Sequence, residues 1–189
     1  MISQDLIRRC IKKDRKAQSE LYKACYGFLM PVCMRYASCE DDAMSYLNLG
    51  FYKILNNLKK YKSHTPFVAW AKRVVINTTI DEMRRNKRYK THEEVKGEHV
   101  PEVNGRVSIY NEEAISSEDV YLLIQQLPPM TASVFNLYAL DGYKHKEIAK
   151  MLKIKEGTSK WHYAEAKKRL KVLIEQTQIV IPTLEKITK

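Results

Sequence analysis

Apolar residues return every three or four positions along most of this chain and almost nowhere alternate, so the pattern predicts helices and little or no sheet. A first helix is expected from about Gln4 to Lys12, with Leu6, Ile7, Cys10 and Ile11 on one side. Asp14 then reads as the N-cap of a long helix, because its carboxylate can accept from the unpaired N–H groups of a first turn. The apolar positions of that helix are Ala17, Leu21, Ala24, Cys25, Phe28, Leu29, Val32, Cys33 and Tyr36, and Pro31 among them predicts a kink. Glu40, Asp41 and Asp42 precede a third helix carrying Ala43, Leu47, Phe51, Ile54 and Leu58. Three carboxylates here complement the helix dipole, and no second carboxylate cluster follows to complete a metal site. Thr65 and Pro66 suit the cap and first turn of a fourth helix, with Phe67, Trp70, Ala71, Val74 and Thr78 inward.

The pattern stops at residues 91–117, where glycine, proline and acids replace it, as expected of a linker. It resumes with a helix from Glu118 to Leu127 capped by Ser117, then one from Met130 to Leu140 that Pro128-Pro129 opens and Asp141-Gly142 closes. Residues 142–170 contain two short amphipathic stretches around a tight break, the signature of a helix-turn-helix. Ile148, Ala149 and Leu152 form one apolar face, and Tyr163, Ala166, Leu170 and Leu173 form the other. Opposite the second stripe lie Gly157, Trp161, Ala164, Glu165 and Lys168, with Lys160 at the flank and Lys167 on the stripe's edge. The expected fold class is therefore all-α, with two small helical domains joined by a flexible acidic linker. The domains span residues 1–90 and 118–175, the second a helix-turn-helix four-helix unit, and 176–189 form a tail. That tail is either a docking segment or a helix end.

Charge sharpens this picture. The chain carries 33 Lys and Arg against 22 Asp and Glu, for a formal charge of +11. Residues 1–90 hold 19 basic and 8 acidic side chains, 91–120 hold 2 and 8, and 121–189 hold 12 and 6. Two basic blocks around an acidic one favour a polyanion such as nucleic acid, with an anionic membrane surface second. No apolar run reaches the length of a membrane span and the first residues lack a signal-peptide core, so no membrane insertion and a cytoplasmic location are expected. Cys10, Cys25, Cys33 and Cys39 form no CxxC pair and lack histidines at ligand spacing, so reduced thiols are expected and no metal or other cofactor. No glycine-rich phosphate loop, metal triad or nucleophile–base pair indicates an enzyme.

From Lys59 to Lys90 ten basic residues face only Asp81 and Glu82, interleaved with Tyr61, Phe67, Trp70 and Tyr89. Cations beside aromatics suit unstacked bases, whereas a plain solvated face would need no aromatics.

With these segments in view, the chain resembles the extracytoplasmic-function group of bacterial RNA polymerase sigma factors, over nearly its whole length. DRKAQSELYKACYGFLMPVCMRYASCEDDAMSYLNLGFYKILNNLKKY looks like the group's polymerase-binding helices. TPFVAWAKRVVINTTIDEMRRNKR looks like its helix for reading and melting the minus-ten element, and LLIQQLPPMTASVFNLYALDGYKHKEIAKMLKIKEGTSKWHYAEAKKRL like its reader of the minus-thirty-five element. The resemblance implies a monomeric, non-enzymatic subunit with core RNA polymerase and promoter DNA as partners, and in many members an anti-sigma factor. It also implies that the linker threads through the polymerase. Two promoter elements two DNA turns apart are separated by about 70 Å, within the roughly 90 Å reach of a linker of this length.

The resemblance assigns polymerase docking to Ser45, Asn48, Leu49 and Phe51. The group usually has acidic or amide residues at two of these positions, so Ser45 and Leu49 imply a more apolar dock, unless Leu49 packs inside the domain. The loop Tyr61 to Thr65, with Lys62 and His64, resembles a base-capturing loop. Trp70, Lys72, Arg73 and Asn77 follow it toward the separated strand, Trp70 serving either as a stacking surface or as core. Arg84, Arg85, Lys87 and Arg88 suit phosphates. For the minus-thirty-five element the implied contacts are Lys144, Thr158, Ser159, Lys160, Trp161, Ala164, Glu165, Lys167 and Lys168. Lys144, Lys153 and Lys155 stand where relatives often have small polar residues or glycine, removing helix caps and a turn glycine. Glu165 can accept from cytosine N4, and Trp161 can pack on a thymine methyl or serve a protein partner. The different-class alternative is a helix-turn-helix regulator that binds a palindrome as a dimer and never joins the polymerase.

Overall fold

The computed structural model describes residues 2–93 and 117–187, with side chains described for 2–85 and 119–176. All regular structure among the described residues is helical, and the chain divides into two compact units, Met1–Val95 and Lys96–Lys189. Residues 94–116, most of the expected linker, lie outside the described residues, as do the side chains of Lys87 and Arg88.

The first unit contains α1 (Gln4–Ile11), α2 (Arg15–Met34), α3 (Glu40–Asn57), a 3₁₀ turn at Leu58–Lys60, and α4 (Phe67–Glu93). Its caps follow the side chains that offer oxygen atoms. Ser3 Oγ accepts from the Leu6 N–H at 3.1 Å, and Asp14 accepts from Lys16 and Ala17 at 2.9 and 3.1 Å. The Ala17 bond leads the effects holding the Asp14 carboxyl below its ordinary range, with Arg9 adding to it. Glu40, Asp41 and Asp42 occupy the first turn of α3 as expected. Helix α4 begins one residue late: Thr65 stays in the loop, its carbonyl accepting from the Tyr61 hydroxyl at 2.7 Å, and the Pro66 carbonyl takes the first helical bond, from Trp70.

Helices α2 and α3 both pack on α4, with α1 against α2. The buried stripe of α2 follows Ala17, Leu21, Cys25, Leu29 and Cys33, which leaves Ala24 exposed about a quarter-turn away. Because α4 has neighbours on two sides, Val75, Ile76, Thr79 and Ile80 are buried beside Phe67, Ala71 and Thr78, while Trp70 and Val74 are only partly covered. Helices α3 and α4 approach closely at Gly50, where an added Cβ would meet Val75 Cγ2 at 2.8 Å and Val75 Cα at 3.3 Å.

The second unit contains α5 (Ser117–Gln125), α6 (Pro129–Phe135), α7 (His145–Leu152) and α8 (Glu156–Ile187). The expected helix through Leu140 changes winding at Phe135: Asn136–Leu140 forms a π turn in which the Asp141 N–H reaches back five residues to the Asn136 carbonyl at 2.9 Å. Gly142, at φ 73°, then reverses the chain. Helices α5, α6 and α7 all pack on α8, which runs on through Pro182 and takes in most of the expected tail. No helix among the described residues is long and apolar enough to cross a membrane.

Between α7 and α8 the turn depends on Lys153, at φ 55° and ψ 44° in the left-handed region. Its N–H and that of Ile154 both bond the Ala149 carbonyl, closing α7 in the way a C-terminal glycine usually permits. A side chain in that conformation costs about 1 kcal/mol. Lys153→Gly is therefore expected to stabilise the C-terminal unit by about 1 kcal/mol, read as a raised midpoint in urea denaturation followed at Trp161. At the other end of α7, Lys144 is the N-cap and its ammonium cannot accept a hydrogen bond. Half of a capping box survives, because Glu147 accepts from the Lys144 backbone N–H at 2.9 Å.

Candidate nucleic-acid interface

In the N-terminal unit the basic-aromatic segment folds into a loop and a helix face. Tyr61, Phe67 and Trp70 form one cluster, with ring centroids 5.2 to 5.6 Å apart. Trp70 is thus partly core and partly surface. Lys62, Ser63 and His64 are exposed in the loop above the cluster. At 100° per residue, Trp70, Arg73, Asn77 and Arg84 share one stripe of α4, and Arg73 and Asn77 are exposed. Lys72 is two residues from Trp70 and faces away from that stripe. Arg84 and Arg85 are paired along the helix with Asp81 and Glu82 at 3.4 and 3.2 Å. Such partly exposed pairs are weak, so a phosphate competes with them readily.

On α3, Ser45, Asn48 and Leu49 are exposed, Leu49 at 43%. Tyr52 adds to this face at 64% exposure and was not anticipated, because an isolated tyrosine has no distinctive sequence signal. Asn48 is oriented by the Tyr22 hydroxyl, which donates to its Oδ1 at 3.0 Å. The expected role of Phe51 in docking needs correction. Phe51 is buried, edge-on to Tyr22 with centroids 5.0 Å apart, because its place on α3 points into the core.

In the C-terminal unit the exposed face of α8 carries Gly157, Thr158, Lys160, Trp161, Ala164, Lys167 and Lys168. Trp161 is 59% exposed. Lys167 Nζ lies 5.0 Å from the Tyr163 ring centre, so its cation is near the helix–helix seam. Lys144 is exposed at the start of α7. Ser159 is corrected: it is completely buried, its Oγ 3.0 Å from His145 Nδ1, where it ties α8 to α7. Glu165 is half-buried and its carboxylate is held by Arg169 Nε at 2.6 Å, while Lys160 pairs with Glu156 at 2.9 Å.

Sequence reasoning also missed the imidazoles that seat α8. His145 stacks on Tyr138, with centroids 4.2 Å apart, and His162 Nδ1 lies 3.0 Å from the Thr131 hydroxyl on α6. Burial lowers the pKa of both histidines, with Lys160 adding to the effect at His145. Cys10, Cys25 and Cys33 are free and buried, and burial pushes the Cys25 and Cys33 thiols up to about 12, so they remain protonated packing groups. Cys39 is exposed. Among the described residues no three His, Cys, Asp or Glu side chains are grouped to hold a metal.

A helix-turn-helix unit with an exposed basic face, in one chain with a helical unit bearing a basic-aromatic stripe, defines a two-domain DNA-facing protein. Comparison with known families makes this specific. The model described as Sigma-70 region 2 matches residues 21–89, and that described as Sigma-70, region 4 matches residues 117–170. The chain belongs to the sigma-70 family of sigma factors. No curated protein matches significantly. Among solved structures, the fold is similar to the sigma factor RpoE of Bartonella quintana, crystallised with the anti-sigma factor NepR. Identity is 17% and the TM-score 0.54, covering 83% of this chain and 96% of that one. CnrH, solved with the cytosolic domain of CnrY, also matches at 17% identity and a TM-score of 0.46, covering 90% of this chain and 96% of that one.

Proposed function

We propose that this sigma factor directs core RNA polymerase to promoters with two separated elements and assists their opening, acting in the cytoplasm as a monomeric subunit that catalyses no reaction itself. The observation that carries this reading is the presence in one chain of two exposed basic faces of different character. The α8 face has the form of a duplex reader. The Tyr61–Phe67–Trp70 cluster, with Lys62, His64, Arg73 and Asn77 around it, offers the partly open aromatic surface that an unstacked base requires.

Unstacking a base costs a few kcal/mol, and the cost is recovered only where a pocket or ring meets the extruded base. In this reading Arg84, Arg85, Lys87 and Arg88 hold the strand by its phosphates, and Ser45, Asn48 and Leu49 dock α3 on the polymerase. A protein inhibitor comparable to the partner of the Bartonella quintana protein is a further expected partner.

The test is transcription in vitro with core polymerase on a library of promoter fragments. Initiation from discrete start sites is expected only when the chain is added. Polymerase-independent binding of the chain, as a dimer, to a palindrome would overturn the proposal.

A further inference from the structure

Trp161 projects from the middle of the exposed face of α8, and its surroundings select what it can touch. Gly157, four residues before it, has open space where a side chain would stand, and Ala164, three residues after it, is a single methyl. The indole therefore has a clear approach along the helix. The carboxylate beside it, Glu165, is held by Arg169, and the Lys160 ammonium by Glu156. The group left at the centre of this face is an aromatic plane with one N–H, bordered by the exposed cation of Lys168.

The indole is also steadied. Its ring centroid lies 4.9 Å from that of His162 at an interplanar angle of 73°, and His162 is held through Nδ1 by the buried Thr131 hydroxyl. A ring fixed from behind in this way loses little conformational freedom on binding.

We propose that α8 reads thymine through its C5-methyl group, with Trp161 as the reading surface and the Thr131–His162 pair setting its orientation. The inference rests on the reading of α8 as a promoter-binding helix. The thymine methyl is the one apolar group that base edges present in the major groove, and an exposed indole is suited to covering it. Glutamate readout of cytosine N4, another base contact this face offers, must first break the 2.6 Å pairing of Glu165 with Arg169. Lys168 then holds a phosphate and contributes affinity without sequence preference.

The experiment uses the full chain assembled with core polymerase. Duplexes randomised in the upstream element are selected by the holoenzyme, and the winning duplex is resynthesised with deoxyuridine in place of thymidine at one position at a time. Deoxyuridine differs from thymidine only by the missing methyl. At one or two positions the substitution is expected to weaken binding about fourfold, the worth of one buried methyl. The Trp161→Ala holoenzyme is expected to bind both duplexes equally. Thr131→Val, which removes the hydroxyl at constant shape, is expected to lower the ratio while leaving the salt dependence unchanged.

Equal binding of both duplexes by the unaltered protein at every position would overturn the inference, as would discrimination that survives Trp161→Ala. An unchanged ratio in Thr131→Val would overturn the positioning role of His162. Failure of the holoenzyme to select any upstream element would overturn the promoter-binding reading as well, which separates the two failures.

Discussion

Gly50→Leu is expected to destabilise the N-terminal unit by about 3 kcal/mol, and with it the α3 and α4 faces proposed to meet polymerase and the separated strand. Even the first added carbon has nowhere to go: Val75 Cγ2 would be at 2.8 Å and the Val75 backbone at 3.3 Å. Valine is β-branched and stiff at χ1, and it is fully buried, so it cannot swing aside. Relief requires α3 and α4 to separate, which loosens contacts around Phe51, Ile54 and Ala71. The better helix propensity of leucine offsets less than 1 kcal/mol of this. A loss of that size is a large fraction of the 5–15 kcal/mol typical of a domain. Urea denaturation followed by circular dichroism is the measurement. Gly27→Ala on α2 serves as the control, because open space there leaves only the propensity gain. An unchanged midpoint for Gly50→Leu would mean that the close approach of the two helices is not a structural requirement.

One residue earlier the expectation reverses. Leu49→Arg should leave folding intact, since Leu49 is exposed at 43%, yet weaken association with core polymerase by about thirtyfold or more, the scale of an interface hot spot. Leu49 adjoins Asn48 and Tyr52, so a guanidinium introduced there would have to be desolvated on docking without a carboxylate to meet it. Fluorescence titration of labelled chain with core polymerase measures the affinity, and the helical circular-dichroism signal serves as the folding control. Undiminished affinity would remove α3 from the docking surface. Together the two substitutions separate the two sides of one helix turn.

Much of this architecture was legible because the chain is locally consistent. Asp14 marked the start of α2, the acidic trio marked α3, and Pro128-Pro129 and Gly142 bracketed the segment between α5 and α7. What escaped depended on neighbours. Val75, Ile76, Thr79 and Ile80 widen the buried arc of α4 beyond a single stripe because two helices cover it, and periodicity along one helix does not contain that information. Phe51 and Ser159 were assigned to surfaces by their place in family-like segments, whereas the helix rotation at each turns the side chain inward. The π turn was invisible because one extra residue in a helical winding has no compositional signature. The outward side of α8 was legible, since Gly157, Trp161, Ala164 and Lys168 are exposed where helical spacing alone puts them.

The hydroxyl partners of the two imidazoles carry a consequence for acid conditions. A hydroxyl can donate to a neutral ring nitrogen or accept from a protonated one. The contacts His145–Ser159 and His162–Thr131 therefore survive the gain of a proton on either ring, whereas a donor-only partner such as a lysine would be repelled. Burial nonetheless opposes that proton at both rings, with Lys160 adding to the effect at His145, so acid weakens the seating of α8 even though each hydroxyl can still serve its imidazole.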